Sequence, residues 1–318
     1  MPAISLVICV YREHDLLKRL LENADDCYDD LIVVHDGPEE GGQADGAAEV
    51  AAIDYAERMP DRLLPSGYRQ LLDAPLPGTI HALVHQYGGR FFEGPRCFQQ
   101  EPHWPFTWSQ AREEWVLRLD ADEFPSAGLR SWLRAFRAQT ELPTASGYTC
   151  IWPLWDGLRA VTQGWPGGRL FLFDRRRVRF FGMVEQTPIP DGTPDELRLV
   201  LSHQPTRKSY GVRNILVRRQ AYHWRRVIAQ SLLGKATDLP RWRWSSEAWP
   251  DQWERLRLHP LRHSLTTLVR YPLHQVRGML RAGQRPILSA CLNPGLHHFM
   301  LGLRVFAEQR RRRRHLPS

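Results

Sequence analysis

The first 37 residues constrain the fold more than any other stretch. Ile4 to Tyr11, ISLVICVY, is a short and nearly unbroken apolar run. That is the pattern of a strand covered on both faces in a parallel sheet, not of one alternating between core and water. HDLLKRLLENA follows, with Leu16, Leu17, Leu20 and Leu21 at the spacing of one helix face. LIVVHDG, Leu31 to Gly37, is a second buried run ending in a polar turn. Strand, helix, strand in this order calls for a right-handed crossover and hence an α/β sheet. Such sheets take ligands beyond the carboxyl ends of their strands, which is where His35, Asp36 and Gly37 would lie.

The rest of the chain extends that layout. GAAEVAAIDYAERM reads as a helix, whereas Pro60 to Pro105 is broken by Gly and Pro and holds only short apolar pieces such as IHALVHQYGG. FTWSQAREE is helical in pattern and feeds a strand in WVLRLDADE. GLRSWLRAFRAQ is an amphipathic helix. ASGYTCIWPLW and GRLFLFDRRRVRFFG read as strands, the second with a basic turn at Arg175 to Arg177. No internal repeat is visible. With 318 residues and 42% hydrophobic content the chain can bury a large core. The expected division is an α/β domain over 1–205 and a basic, Trp/Arg-rich helical extension over 206–318.

Charge supports that division. The net +8 is the sum of −10 over Met1 to Leu199 and +18 over Val200 to Ser318. A basic segment on an acidic body fits a polyanionic partner, either an anionic membrane surface or nucleic acid. The five cysteines (Cys9, Cys27, Cys97, Cys150, Cys291) form no CxxC pair and have no His at zinc spacing, so they read as free thiols in a reducing compartment. The N-terminal apolar run lacks a basic flank and a cleavage site, and no stretch reaches the roughly 18 apolar residues of a membrane span. A cytoplasmic protein is expected, peripheral at the inner face of the cell membrane.

EEWVLRLDADEFPS, Glu113 to Ser126, places Asp120, Asp122 and Glu123 at the end of an apolar run. Like charges this close repel unless a positive charge sits among them. At a strand end the first and third residues of Asp-Ala-Asp point the same way, and two converging carboxylates suit a hard divalent cation, Mg²⁺ or Mn²⁺, shared with a phosphate-bearing substrate. The competing reading is a surface turn or a helix cap, with Asp122 or Ser126 capping a helix that begins near Gly128.

ISLVICVYRE, LIVVHDG, EEWVLRLDADEF, FGMVEQTPI and LVLSHQP, in that order over roughly Ile4 to Tyr222, resemble a family-2 glycosyltransferase of the GT-A fold, of the bacterial branch that builds lipopolysaccharide cores and surface glycans. The resemblance implies a Rossmann-like, mostly parallel mixed sheet flanked by helices, and a nucleotide-sugar donor, UDP-linked by preference. It implies that Asp36 contacts the base or ribose and that Asp120 lies near the ribose and sugar. Asp122 would bind the metal bridging the two phosphates, Glu123 would face the sugar or support the ligands, and His203 would close on the metal or diphosphate. Glu185 would be the general base. The chain departs from the family pattern at His35, where many members have a second Asp, and at Val184, where the family has His. The segment between Asp36 and Asp120 is also longer than usual and lacks a clean Arg-Asn motif, so that contact is lost or falls to Arg90, Arg96 or Arg112.

The chemistry fits these residue types. In an inverting transfer a carboxylate takes the acceptor hydroxyl proton while a metal stabilises the departing diphosphate. Asp156 and Asp191 are reserve candidates for the base. Structural readings compete: Glu185 as a carboxylate paired near Arg177 or Arg179, and His203 as a hydrogen-bonded core histidine. Other functions compete too. A sugar nucleotidyltransferase would need a glycine-rich basic N-terminal loop, which VICVYREHDLL lacks. A non-catalytic membrane- or nucleic-acid-binding protein could use the same fold. In the extension, Arg- and Trp-bearing helices (Leu265, Leu268, Val269; Leu296, Phe299, Met300, Leu303, Phe306) and the closing Arg310–Arg314 tract suit an anionic bilayer interface, or else pack on the catalytic domain. RWRW could alternatively meet nucleic acid.

Overall fold

A computed structural model describes residues 1–39, 47–50, 66–160, 168–205, 211, 216, 219–234, 241–244, 249–281 and 283–314. They fall into two compact units: 1–152 with 168–204 and 240–245, and 153–167 with 205–239 and 246–318.

The first unit is built on a ten-stranded mixed sheet. In chain order its strands are β1 (Ile4–Val10), β2 (Asp30–Asp36), β3 (Ala47–Val50), β4 (Tyr68–Leu71), β5 (Arg90–Gly94), β6 (Trp115–Arg118), β7 (Glu123–Pro125), β8 (Gly147–Ile151), β9 (Arg169–Asp174) and β12 (Asp195–His203). β10 (Val178–Arg179) and β11 (Ile189–Pro190) form a separate two-stranded pair. The sheet order is β3-β4-β5-β2-β1-β6-β9-β8-β12-β7. The centre, β5-β2-β1-β6, is parallel, as the opening strand-helix-strand pattern requires. The chain winds outward from β1 through β2 to β5 and then returns to β6 on the other side of β1. That reversal opens a crevice at the carboxyl ends of β1 and β6, the usual ligand position in such sheets.

Both sheet faces are covered, which explains why the strands read as continuous apolar runs. Ile4, Leu6, Ile8 and Val10 of β1 pack against Leu17, Leu20 and Leu21 of α1 (His14–Ala24), Leu83 and Val84 of α2 (Ile80–Gln86), and Leu129 and Phe136 of α4 (Ala127–Arg137). Val7 points the other way, into a core with Val34, Phe92 and, from α3 (Trp104–Gln110), Trp108. Trp108 meets Phe173 and Trp242 edge-on, with centroids 5.3 and 5.9 Å away. Contacts of this kind add about 0.5–1.5 kcal/mol each beyond burial. Trp242 of the RWRW stretch is therefore a core residue of this unit: it is 1% exposed, and its indole donates to the Arg175 carbonyl at 3.0 Å.

One expected helix begins as a strand. Ala47–Val50, within GAAEVAAIDYAERM, pairs antiparallel with Tyr68–Leu71, so tertiary pairing overrides an alanine-rich helical pattern. Residues 51–59 of that stretch lie outside the described residues. The expected helix in GLRSWLRAFRAQ is present as Ala127–Arg137, and the expected strands as Gly147–Ile151 and Arg169–Asp174. All five cysteines are free.

The second unit is helical: α5 (Arg219–Leu233), α6 (Asp251–Leu258), α7 (Pro260–Arg281) and α8 (Leu288–Arg314). α7 and α8 pack as an antiparallel hairpin. None of the described helices is long and apolar enough to cross a membrane.

Candidate active site

Asp120 follows β6 and Asp122 lies in the turn before β7, at the crevice beside β1. Pairing of β12 with β7 places His203 opposite Glu123 and Ser202 opposite Phe124. The Gln204 amide then donates to the Asp122 carbonyl at 2.7 Å, tying the end of β12 to the acidic turn. Strand register therefore brings residues eighty positions apart into one cluster: His203 Nε2 lies 3.3 Å from Asp122 Oδ2. Ser126, not Asp122, caps the following helix, accepting from the Leu129 amide at 3.3 Å. Asp122 is left free of a capping duty.

The positive charge among the acids is supplied first by the protein. Arg169, at the start of β9, reaches Asp120 Oδ2 at 2.9 Å and Glu123 Oε1 at 2.7 Å. Glu123 is fully buried and also accepts from the Trp152 indole at 2.8 Å and the Asp120 amide at 2.9 Å. Burial pushes its carboxyl up to about 7 and Asp120 adds to the rise, while Arg169 opposes it. Asp120 goes the other way: burial favours its neutral form, but Arg169 and then Arg118 hold its carboxyl below the usual range. Arg118, buried in β6, donates to the Leu170 carbonyl at 3.1 Å and lies over the Trp104 ring at 4.2 Å. Burial lowers it to about 10. Glu123 is thus a structural carboxylate that closes the turn, and Asp120 is half neutralised by Arg169.

Asp122 is the acid whose neighbour is a neutralisable base rather than a guanidinium. His203 stacks on Trp152 with centroids 4.2 Å apart, which fixes its ring. Asp120 Oδ1 is buried without a hydrogen bond of normal geometry, Gln100 lying beside it. Asp122 and His203 offer a carboxylate and an imidazole of the kind Mn²⁺ or Mg²⁺ accepts, whereas Asp120 is held to Arg169 and does not cluster with them as a third ligand among the described residues.

Glu185 is exposed, and its backbone is in the left-handed region, φ +62°. A non-glycine residue there is uncommon and persists where its surroundings hold it. Its amide donates to Glu101 Oε1 at 2.9 Å. Burial pushes the Glu101 carboxyl up to about 7, and the nearby charges of Glu185 and Asp120 push the same way. The reserve candidates have other duties. Asp156 Oδ1 accepts from the Leu158 and Arg159 amides of its own turn, at 2.8 and 2.9 Å. Asp191 lies near Arg179 and Arg243, at 3.8 and 3.7 Å.

Asp36 ends β2 with both oxygens engaged. It accepts from the Cys97 and Phe98 amides at 2.5 and 2.9 Å, and lies 3.1 Å from both His103 Nε2 and Arg96. Burial would raise its carboxyl, but the His103 and Cys97 hydrogen bonds hold it below the usual range. Asp36, Cys97 and His103 form the one group of three metal-ligand types clustered among the described residues. The Arg96 guanidinium already supplies a positive charge there. His35 is turned inward, its Nδ1 2.7 Å from the Gly37 carbonyl. Of the three arginines considered for the Arg-Asn role, Arg90 pairs with Asp30 at 2.9 Å and Arg112 is exposed. Arg96 is the one beside Asp36, layered over Tyr11 at 3.3 Å and Phe98 at 4.6 Å.

Arg169, Arg118, Glu101 and Trp152 escaped the sequence reading. Arg118 carried a signal, being a lone charge inside the apolar run WVLRL. Arg169 carried only its place at the mouth of a strand.

No protein-family model matches the chain, and no curated protein sequence matches it. Among solved structures it is similar to S. aureus TarS residues 1–349, with 11% identity, 97% of this chain and 91% of that chain covered, and a TM-score of 0.36. A structure of S. aureus TarS matches at 13% identity and a TM-score of 0.36, with 94% of this chain covered against 53% of that one. Likenesses this remote assign no residue and no activity.

Proposed function

We propose that the chain moves a sugar from a nucleotide-sugar donor, UDP-linked by preference, to a hydroxyl of a glycan or lipid-linked acceptor, with inversion. Support comes chiefly from one observation. The Asp120–Asp122 turn and His203 converge at the crevice where the strand order reverses, with the Glu101 carboxylate in electrostatic reach of Asp120 and bonded to the backbone amide of Glu185. Asp122 and His203 would hold Mn²⁺ or Mg²⁺, and the ion supplies charge to the departing diphosphate. Glu185 takes the acceptor proton, and Glu101 holds the turn that presents it. Arg169 keeps Asp120 ionised and in place. Arg96 and Asp36 border the nucleotide side.

Hydrolysis and transfer of a radiolabelled UDP-sugar, with and without Mn²⁺ or Mg²⁺, tests this. Activity should need the ion, and Asp122→Ala should lower it by at least ~100-fold. Glu185→Gln should slow transfer while nucleotide binding persists. Absence of nucleotide-sugar binding, with Asp122→Ala indistinguishable from wild type, would sink the proposal.

A further inference from the structure

The α7–α8 hairpin is packed inside out for a protein surrounded by water. The face that α7 buries carries Ser264, Thr267, Gln275 and Met279, whereas Leu261, Leu265, Val269, Leu273 and Leu280 are 41–63% exposed. Their spacing of four, four, four and seven residues puts them in one continuous stripe along the helix. Water favours the opposite arrangement, with leucines inside and hydroxyls outside.

Near the loop the helices share an apolar cluster of Met279, Ala290 and Cys291, but along the rest of α7 they approach through small and polar residues. A side chain at Gly302 of α8 would come within 1.9 Å of Ser264 Oγ, and one at Gly295 within 2.8 Å of Pro272 Cδ. Ser264 Oγ shares its proton between the Pro260 carbonyl of its own helix, at 2.8 Å, and the Phe299 carbonyl of α8, at 3.2 Å. Close contact at glycines, with hydroxyl-to-carbonyl bonds between helices, is how helices associate where the surroundings are as apolar as leucine.

The charge beside the stripe is of one sign. Arg262, Arg270, Arg277 and Arg281 are exposed and follow Leu261, Val269, Val276 and Leu280 by one position, so they line the adjoining edge. Between Pro260 and Arg314 there are eleven arginines and one acid, Glu308. Glu308 is already paired with Arg311 at 2.6 Å. Guanidinium groups of this kind meet phosphate oxygens two at a time.

We propose that the Leu261–Leu280 stripe of α7 lies in the interface of an anionic bilayer, leucines among the acyl chains and the neighbouring arginines on lipid phosphates. This placement is independent of the proposed transfer reaction, because it rests on the second unit alone. Of the two apolar faces expected at the membrane it favours the one on α7, since α8 buries Leu301, Gly302 and Val305.

The test is co-sedimentation of the full chain with phosphatidylcholine vesicles, with and without phosphatidylglycerol. Binding should need the anionic lipid and weaken as salt rises. Leu265→Gln/Val269→Gln/Leu273→Gln, all at exposed positions, should weaken it by at least ~10-fold while the far-UV circular dichroism and Tm stay those of wild type. Arg270→Gln/Arg277→Gln, which leaves the leucines in place, should weaken it to a comparable degree. If only the arginine changes matter, the face is a bare polyanion site such as nucleic acid would use, and the bilayer assignment fails. If the leucine changes turn a dimer into a monomer and leave vesicle binding intact, a second copy is the occupant, and it fails likewise.

Discussion

Replacing Arg169 with methionine keeps an unbranched side chain of similar length and removes the charge that two acids share. Glu123 is fully buried and Asp120 only slightly open, with the guanidinium 2.7 and 2.9 Å from them. Breaking a buried pair by deleting one partner costs about 3–5 kcal/mol, because the remaining charge is stranded. The loss should depend on pH in a definite direction. Glu123 is raised to about 7 from an ordinary value of 4.5, and Arg169 opposes that rise, so without it the carboxyl moves higher. A group raised in the folded state binds a proton there that the unfolded chain does not. Folding is therefore favoured as pH falls from about 7 toward 4.5. The penalty of Arg169→Met should be largest near pH 8 and shrink toward pH 5. Urea denaturation at the two pH values measures it. Adding Glu123→Gln removes the stranded charge, so the double variant should be more stable at pH 8 than Arg169→Met alone. A loss under about 1 kcal/mol, a loss equal at both pH values, or a double variant weaker than the single would refute the assignment of Arg169 as internal counter-charge.

Two further outcomes follow from the packing. Asp36→Ala leaves the buried His103 ring and the Cys97 and Phe98 amides without their acceptor, which should cost about 3 kcal/mol in denaturation. Asp36→Asn should cost less, because its carbonyl still accepts from the amides; full stability of Asp36→Ala would mean the residue serves ligand alone. Gly302→Ala would put a carbon 2.6 Å from the Pro260 carbonyl as well as against Ser264. Overpacking of about 1–3 kcal/mol should then outweigh the roughly 1 kcal/mol that alanine gains over glycine in a helix. A Tm above wild type for that variant would mean the two helices stand further apart.

Periodicity and local chemistry alone determined the parallel centre of the sheet. A strand covered on both faces has to be mostly apolar, and Ile4–Val10 and Leu31–Val34 are. The same holds for the helix at Ala127–Arg137, whose Ser126 cap and leucine spacing are local properties. The position of the acidic turn was legible too, because Asp120 and Asp122 close an apolar run that had to be a strand. Which positive charge answers those acids was a tertiary matter. Arg169 is forty-nine positions from Asp120, and only the antiparallel seating of β9 beside β6 and β8 carries it to the mouth of the sheet. Glu101 meets the amide of Glu185 from a different loop, and no spacing in the sequence announces that. Ala47–Val50 became a strand because Tyr68–Leu71 offered it a partner, against its own helical leaning. The leucines of α7 look in sequence like any core-facing stripe. Their exposure was decided by Gly295 and Gly302, which let α8 approach the helix on its serine and threonine side and left the apolar side outward.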